Sequence, residues 1–298
     1  MKRERILVLA AGSLGDAVIT LPALQALQAQ GEVTVAGTRH YLALGPDLLG
    51  ITGMTGFEMA YERILTGSYA RELASYDRIF LFLKEPEPTF EERLARMHPR
   101  FARPARPFAL HAREKRPAGD YWALFLEERG IPVPERIPRV VISDELRRQG
   151  AALLADLGMT RPVLLHPGSG GAPKLAPLDF FRQSALQLAG SGRDVLVAWG
   201  EAEVSRLTEI RGVFVDMDRV RVLPHSIHLR LFAGLAVNAA VFVGNDSGMA
   251  HLAAACGLPV VAVFGPTDPV LWAPPGAKVL KAGEDFQDLP PGLPAGWV

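Results

Sequence analysis

The segment AAGSLGDAV carries residues that could take part in chemistry on a polar ligand. Gly12, Gly15 and Asp16 follow an apolar run at 5–11, and a glycine turn before a helix lets a ligand approach the backbone closely. The Asp16 carboxylate could accept a proton from a substrate hydroxyl. Alternatively, Asp16 only caps a helix that begins at Ala17. The residues alone leave both roles open.

This glycine spacing argues against one common class of site. The glycines are arranged as Gly12-x-x-Gly15 rather than G-x-G-x-x-G, and no acidic residue ends the next predicted strand, 33–36. A G-x-G-x-x-G run and an acidic residue at the end of the second strand are typical of nicotinamide dinucleotide sites, and this sequence has neither. We therefore expect a different ligand.

The run VFVGNDSGMAHLAAACGLPVVAVFGPTDP is the most informative segment. A predicted strand leads into Gly244-Asn245-Asp246, and Ser247-Gly248 opens a helix of small residues. Free N–H groups at that helix start, together with the Ser247 hydroxyl, suit a diphosphate, and Asp246 suits sugar hydroxyls. The alternative is a capped helix between two buried strands, with His251 as a hydrogen-bonded core residue.

Two further segments follow predicted strands. LLHPGSGGAPKLAP places the cation Lys174 in a flexible glycine and serine loop, where an ammonium can neutralise phosphate. WGEAEVSRL places Glu201 and Glu203 where they could bind ribose hydroxyls. Either glutamate could instead be a first-turn residue that the helix dipole favours.

The elements that must position these residues alternate between short apolar runs and segments of helical period. This pattern predicts α/β units around parallel sheets. We expect one helix from 16 to 30 that ends at Gly31, and a loop-rich excursion over the basic segment 93–116. We also expect an irregular tail at 284–298. The predicted strands are 5–11, 33–36, 78–83, 163–166, 195–199, 241–244 and 260–264.

The proline-containing connection 131–144 divides the chain into two Rossmann-like domains, 1–142 and 143–298. Two such domains that face one another form a cleft at the carboxyl ends of both sheets, which is where ligands of these folds bind.

Bulk properties of the chain disfavour several classes of function. The 32 basic and 32 acidic residues cancel, which disfavours nucleic acid as a partner. No apolar run approaches the roughly 20 residues of a membrane span, so we expect a cytoplasmic protein that at most rests on the membrane face. The apolar neighbours of Cys256 predict an inert buried thiol.

The basic segment, with Arg100 and Arg103, is either a solvated face or a docking surface for an anionic acceptor.

The four segments, in this order, resemble the ADP-heptose:lipopolysaccharide heptosyltransferases, glycosyltransferase family nine, over about 5–270. GNDSGMAHLAAACGLPVVAVFGPTDP is similar to the family's signature, and GSLGDAVITLPAL is similar to its opening motif.

The resemblance implies a GT-B fold, meaning two Rossmann-like lobes that face a central cleft, and an inverting reaction without metal or cofactor. Asp16 would be the general base. The donor, a nucleotide-diphosphate sugar that the resemblance identifies as ADP-heptose, would be held by Lys174 at the phosphates, Glu203 at ribose and Asp246 at the sugar. The amides of Ser247, Gly248 and Met249 would cradle the diphosphate, with Gly12, Gly15 and His251 as structural neighbours. Arg100 and Arg103 would bind an anionic glycan or glycolipid acceptor.

Departures from the family pattern keep rival hypotheses open. Lys174-Leu175-Ala176-Pro177 lacks the aromatic residue of the family's Lys-x-Trp-Pro, position 10 is Ala10 rather than a basic residue, and the chain stops soon after the signature. One rival is a binding protein of the same fold without turnover. The other is a nucleotide-sugar epimerase, which would need no acceptor.

Overall fold

The computed structural model describes residues 3–98, 100–103 and 108–298. They form two compact units, residues 1–141 (unit 1) and 142–298 (unit 2), so the division lies one residue before the expected boundary. Arg106 of the basic segment lies outside the described residues. No helix in the described ranges is both long and apolar enough to cross a bilayer.

Unit 1 is a parallel sheet of five strands in the order β3-β2-β1-β4-β5. The strands are β1 (Glu4–Ala10), β2 (Gly31–Gly37), β3 (Gly53–Gly56), β4 (Arg78–Phe82) and β5 (Phe101–Ala102). The central β1 is apolar without alternation, and its residues 6–10 are fully buried. A continuous apolar run is what a parallel strand needs when both of its faces are covered.

The helices of unit 1 are α1 (Leu14–Ile19), α2 (Leu21–Gln30), α3 (Arg39–Leu44), α4 (Pro46–Leu49), α5 (Phe57–Thr66), α6 (Ala70–Leu73), α7 (Pro88–Met97), α8 (Phe108–Arg113) and α9 (Ala118–Glu127). The expectation of a loop-rich excursion at 93–116 was wrong, because α7, β5 and α8 occupy much of that segment.

The prediction of one helix from 16 to 30 was also wrong. The helix starts earlier, at Leu14, and is interrupted at Thr20, which ends α1 and precedes α2. Pro22 explains the break, because proline has no N–H to continue the helical bonds and is tolerated only in a first turn.

The helix ends before Gly31, as expected, but Gly31 does not have the left-handed conformation that is common for a glycine at this position. Its φ of −163° is extended, and it is the first residue of β2. A Cβ atom at Gly31 would lie 2.4 Å from the Glu4 carbonyl oxygen. Glycine is therefore required here by the close approach of β1 and β2.

Unit 2 is a parallel sheet of six strands in the order β11-β10-β9-β6-β7-β8. The strands are β6 (Val163–His166), β7 (Val195–Val197), β8 (Val220–Val222), β9 (Val241–Asn245), β10 (Val260–Phe264) and β11 (Lys278–Lys281). The helices are α10 (Asp144–Asp156), α11 (Leu178–Gly190), α12 (Leu207–Val213), α13 (Leu229–Ala236), α14 (Gly248–Ala255) and α15 (Pro269–Trp272), with 3-10 turns at Ala172–Lys174 and Glu201–Arg206.

The tail 284–298 contains neither helix nor strand, as the sequence predicts. It is nevertheless part of the unit 2 core, because Phe286 and Leu293 are buried there and Trp297 packs against the same cluster. Burial of apolar side chains fixes this segment without regular structure.

Candidate functional site

The strand order of unit 1 defines where a ligand can reach it. From β1 the chain builds outward to β2 and β3 on one side, and then to β4 and β5 on the other. The connections after β1 and β4 therefore leave in opposite directions, which opens a crevice at the carboxyl ends of these two strands. Asp16 follows β1 and Lys84 follows β4, so both lie at this edge.

Asp16 is the third residue of α1 and does not cap a helix at Ala17. Ser13 is the N-cap, and the two side chains form a reciprocal capping box. The Ser13 backbone N–H and hydroxyl donate to Asp16 Oδ2 at 2.8 and 2.9 Å. Lys84 Nζ donates to the other oxygen, Oδ1, at 2.6 Å. The Asp16 side chain keeps 17% of its surface exposed.

The pKa of Asp16 lies below its ordinary value. Burial alone raises the pKa, but the Lys84 charge and the hydrogen bonds from Lys84 and Ser13 outweigh that effect. The carboxylate is therefore ionised at neutral pH, which is the form in which it can accept a proton.

Gly12 and Gly15 differ in their structural roles. Gly12 has a φ of +148°, and a Cβ atom there would lie 2.5 Å from Asp16 Cβ. Its carbonyl oxygen also accepts the Thr38 hydroxyl at 2.9 Å. Gly15 lies within the first turn of α1 rather than before the helix. Gly12 is thus the glycine that lets the turn pass directly against Asp16.

Arg100 and Arg103 flank β5 and are exposed. Arg103 Nε lies 3.0 Å from Glu91 Oε1, and its carbonyl oxygen accepts from Arg129 Nη2 at 2.6 Å. The charge of Arg103 is therefore already balanced by a neighbour within unit 1.

Unit 2 has a crevice of the same kind between β6 and β9, where its strand order changes direction. Lys174 comes from the loop after β6, and Asp246 directly follows β9. Lys174 Nζ lies 2.8 Å from Asp246 Oδ2. The Thr267 hydroxyl, from the loop after β10, donates to the same oxygen at 2.7 Å. The structure thus brings Lys174 and Asp246 together.

The loop that carries Lys174 is held to the end of β9. Asn245 is fully buried, and its Nδ2 donates to the carbonyl oxygens of Pro167 and Gly168 at 3.0 and 3.2 Å. Its Oδ1 accepts from the Ala176 N–H at 3.1 Å. The Ser169 hydroxyl donates to the Asp246 carbonyl oxygen at 3.0 Å.

Ser247 is the N-cap of α14, and its Oγ accepts from the Ala250 N–H at 3.3 Å. Gly248 and Met249 form the first turn and are half-buried. The first N–H groups of a helix lack intrahelical acceptors, and the helix dipole makes this end attractive to anions. His251 lies in the same helix and is 6% exposed. Its backbone N–H donates to the Ser247 carbonyl oxygen at 3.3 Å.

Glu203 lies in the 3-10 turn after β7 and is only 3% exposed, whereas Glu201 is exposed. Its Oε2 accepts from the Gly200 N–H at 2.8 Å and lies 3.6 Å from His166 Nε2. Burial raises the pKa of Glu203, but the hydrogen bond and charge of His166 and the Gly200 N–H more than offset it, so its pKa is lowered. This side chain is held firmly at the carboxyl edge of the sheet.

Sequence reasoning missed three side chains that contact the predicted residues, namely Lys84, Thr267 and His166. Each of them ends a strand or lies in the loop that follows one, and this was the available signal. What the sequence lacked was the order of the strands, which decides which loops are neighbours. Among the residues that the structure describes, no three His, Cys, Asp or Glu side chains are grouped as metal ligands.

Comparison with known proteins relates this geometry to a family. Residues 108–290, more than half of the chain, match the model of glycosyltransferase family 9 (heptosyltransferase). Lipopolysaccharide heptosyltransferase 1 of Pseudomonas aeruginosa is 30% identical over 168 residues. That match covers 56% of this chain and 44% of the relative, so it spans less than half of the relative's length.

Solved structures share the fold. A family 9 glycosyl transferase of Veillonella parvula aligns with a TM-score of 0.75 and 20% identity, over 95% of this chain and 86% of that chain. The ADP-heptose lps heptosyltransferase II of E. coli aligns with a TM-score of 0.73 and 21% identity, over 98% of this chain and 95% of that chain. These likenesses establish the two-domain GT-B architecture. The family match and the fold together lead to one conclusion: this chain belongs to glycosyltransferase family 9, the heptosyltransferase family.

Proposed function

We propose that the protein transfers a heptose-like sugar from a nucleotide-diphosphate donor, ADP-heptose, to a lipopolysaccharide or related surface glycan. The observation that carries the proposal is the cluster of Lys174 and the α14 N-terminus at one edge of the unit 2 sheet. A cation and free helix amides are what a departing diphosphate requires. The names of the related proteins supply the sugar and acceptor classes.

On the donor side, the amides of Ser247, Gly248 and Met249 would bind the diphosphate, and Lys174 would balance its growing charge. The Lys174 side chain is 35% exposed, so its ammonium can turn toward a phosphate while Asp246, 4% exposed, keeps its bond from Thr267. Asp246 would then orient the sugar. Glu203 would hold ribose through its remaining acceptor capacity.

On the acceptor side, Asp16 would be the general base of an inverting displacement. The acceptor oxygen bonds to the anomeric carbon as its proton moves to the Asp16 carboxylate. The bond from the anomeric carbon to the phosphate oxygen breaks at the same time, and its electron pair leaves with the nucleoside diphosphate. The lowered pKa of Asp16 supports this role because it keeps the base ionised. Positive groups on the protein would replace a metal at the leaving group.

Removal of the base tests turnover. Asp16→Asn is expected to lower kcat by on the order of 10²-fold or more, since general bases contribute about that much. Donor binding, measured by calorimetry with ADP, is expected to stay unchanged because Asp16 lies in unit 1. An unchanged rate of sugar transfer would exclude Asp16 as the base. Binding of ADP without any transfer by the unmodified protein would favour the non-catalytic rival.

The identity of the donor is tested separately. A thermal-shift screen with ADP, UDP and GDP should give the largest rise in Tm with ADP, because a ligand that binds the native state stabilises it. A larger rise with UDP or GDP would contradict ADP-heptose as the donor. Conversion of a nucleotide sugar without any acceptor would favour the epimerase, which family membership disfavours.

The basic segment 93–116, with Arg100 and Arg103, is proposed to bind the anionic acceptor. Arg100→Ala is expected to raise the acceptor KM more than Arg103→Ala, because Glu91 already balances the charge of Arg103. Neither change should alter donor affinity. Equal effects on donor and acceptor would contradict the assignment.

A further inference from the structure

The two oxygens of the Asp16 carboxylate have different surroundings. Among the described residues, Oδ2 accepts two hydrogen bonds, both from Ser13, whereas Oδ1 accepts from Lys84 Nζ at 2.6 Å. A carboxylate oxygen has two lone pairs. Ser13 therefore fills Oδ2, and an incoming hydroxyl is left with Oδ1 as its acceptor. That hydroxyl would arrive beside the Lys84 ammonium.

The position of Lys84 is fixed by the sheet and by an aromatic ring. In the β1–β4 register Ala10 faces Phe82, so Lys84 lies two residues beyond the last paired position. Its Nζ also lies 4.6 Å from the centre of the Phe108 ring, within the range of a cation–π contact. The ammonium thus lies between the ring of α8 and the carboxylate of α1.

We propose that Lys84 is a positioning residue for the base: its ammonium ion-pairs with Asp16 and holds the carboxylate oxygen Oδ1 toward the acceptor hydroxyl. This inference rests on the proposed role of Asp16. It assigns Lys84 no contact with the sugar and no proton transfer of its own.

The other described groups near Asp16 do not supply a positive charge in place of Lys84. From α3, the His40 ring contacts the Gly12 carbonyl oxygen at 3.2 Å, and Tyr41 is fully buried with its hydroxyl 3.2 Å from Thr20 Oγ1. The negative charge of Asp16 contributes to a raised pKa of Tyr41, although burial is the main cause. Ser13 supplies dipoles but no charge. Among the residues that the structure describes, Lys84 is therefore the cation that ion-pairs with Asp16.

The sign of the effect follows from these surroundings. Without Lys84, burial still raises the pKa of Asp16 while the principal opposing charge is gone. The acidic limb of the profile of kcat/KM against pH should then move to higher pH. At a fixed pH on that limb, each rise of about one unit in the pKa of the base lowers the ionised fraction, and so kcat/KM, about tenfold. On the plateau at higher pH, where the base is ionised in either case, the loss should be much smaller.

The experiment compares four proteins: the unmodified chain, Lys84→Met, Lys84→Arg and Arg71→Met. Arg71 is an exposed residue of α6 in unit 1, so its replacement removes the same charge elsewhere. The Asp16 carboxyl carbon is titrated by NMR, with its signal assigned by its loss in Asp16→Asn. We expect the Asp16 pKa to rise in Lys84→Met and to stay in place in Lys84→Arg and Arg71→Met. The acidic limb of the profile of kcat/KM against pH should likewise move to higher pH in Lys84→Met and stay in place in Lys84→Arg and Arg71→Met.

The two readouts separate the possible failures. An Asp16 pKa that does not move in Lys84→Met overturns the inference, whatever the protein catalyses. An equal rise in Arg71→Met also overturns it, because the effect would then be one of net charge. If the NMR pKa rises while the acidic limb of transfer stays fixed, Asp16 is not the base, and the proposed function fails in this part.

Discussion

Gly168 lies directly against the buried carboxylate of Glu203, and this contact predicts a large effect of one added methyl group. A Cβ atom at Gly168 would lie 2.0 Å from Glu203 Oε1, 2.3 Å from Cδ and 2.7 Å from Cγ. Rotation of the carboxylate alone cannot relieve three such contacts. Gly168→Ala must therefore displace either the glutamate or the loop after β6 that contains Gly168.

The cost follows from what the glutamate would lose. Its displacement breaks the bond from the Gly200 N–H at 2.8 Å and the contact with His166 Nε2 at 3.6 Å. A hydrogen bond to a charged group contributes about 1.5 to 3 kcal/mol, and the carboxylate would stay buried. We expect Gly168→Ala to lower the free energy of unfolding of unit 2 by about 2 to 3 kcal/mol.

The same loop offers a matched control. A Cβ atom at Gly170 would meet nothing within 4 Å, so Gly170→Ala should change the free energy of unfolding by less than about 0.5 kcal/mol. Urea unfolding followed by the fluorescence of Trp199, buried in unit 2, reports the difference. In a Glu203→Ala background, Gly168→Ala should cost far less, because the clashing atoms are gone. Strict additivity in this double-mutant cycle would refute the reasoning.

Three further predictions concern unit 2. Glu203 has a lowered pKa, so it contributes fully to the free energy of unfolding at pH values above its ordinary pKa of 4.5, and this contribution is lost as the pH falls through the folded-state pKa. Glu203→Gln should therefore flatten the acid limb of the plot of Tm against pH. An unchanged acid limb would contradict this. Gly150→Ala should destabilise unit 2 by about 3 kcal/mol in urea unfolding, because its Cβ would lie 2.0 Å from the Gly234 carbonyl oxygen of α13; Gly212→Ala, with open space around it in α12, should be neutral or stabilising. Cys256 is half-buried, and burial raises the pKa of its thiol to about 12. A thiol reagent at about pH 8 should therefore react on the order of 10³-fold more slowly with the native chain than with the unfolded chain. Comparable rates would mean that the thiol is open to solvent.

Local sequence was sufficient to locate most of the strands and the polar residues that follow them. Runs such as 6–10 and 260–264 are short and apolar without interruption, which is the composition of a strand that is buried on both faces. The exposed or weakly apolar edge strands β3, β5, β8 and β11 lack this signal, and the sequence did not predict them. Because loops at the carboxyl ends of parallel strands carry the ligand sites, the positions of Asp16, Lys174 and Asp246 were visible without coordinates.

The partners of these residues were decided by tertiary structure alone. Asp16 and Lys84 are 68 positions apart, and they meet because β4 rather than β3 pairs with β1 on that side. Strand order depends on how helices and loops pack across the whole sheet, and a local pattern carries no record of it. The glycines illustrate the same limit: Gly31 and Gly168 are recognisable as glycines in the sequence, but the carbonyl oxygen or carboxylate that excludes a side chain there comes from a distant segment.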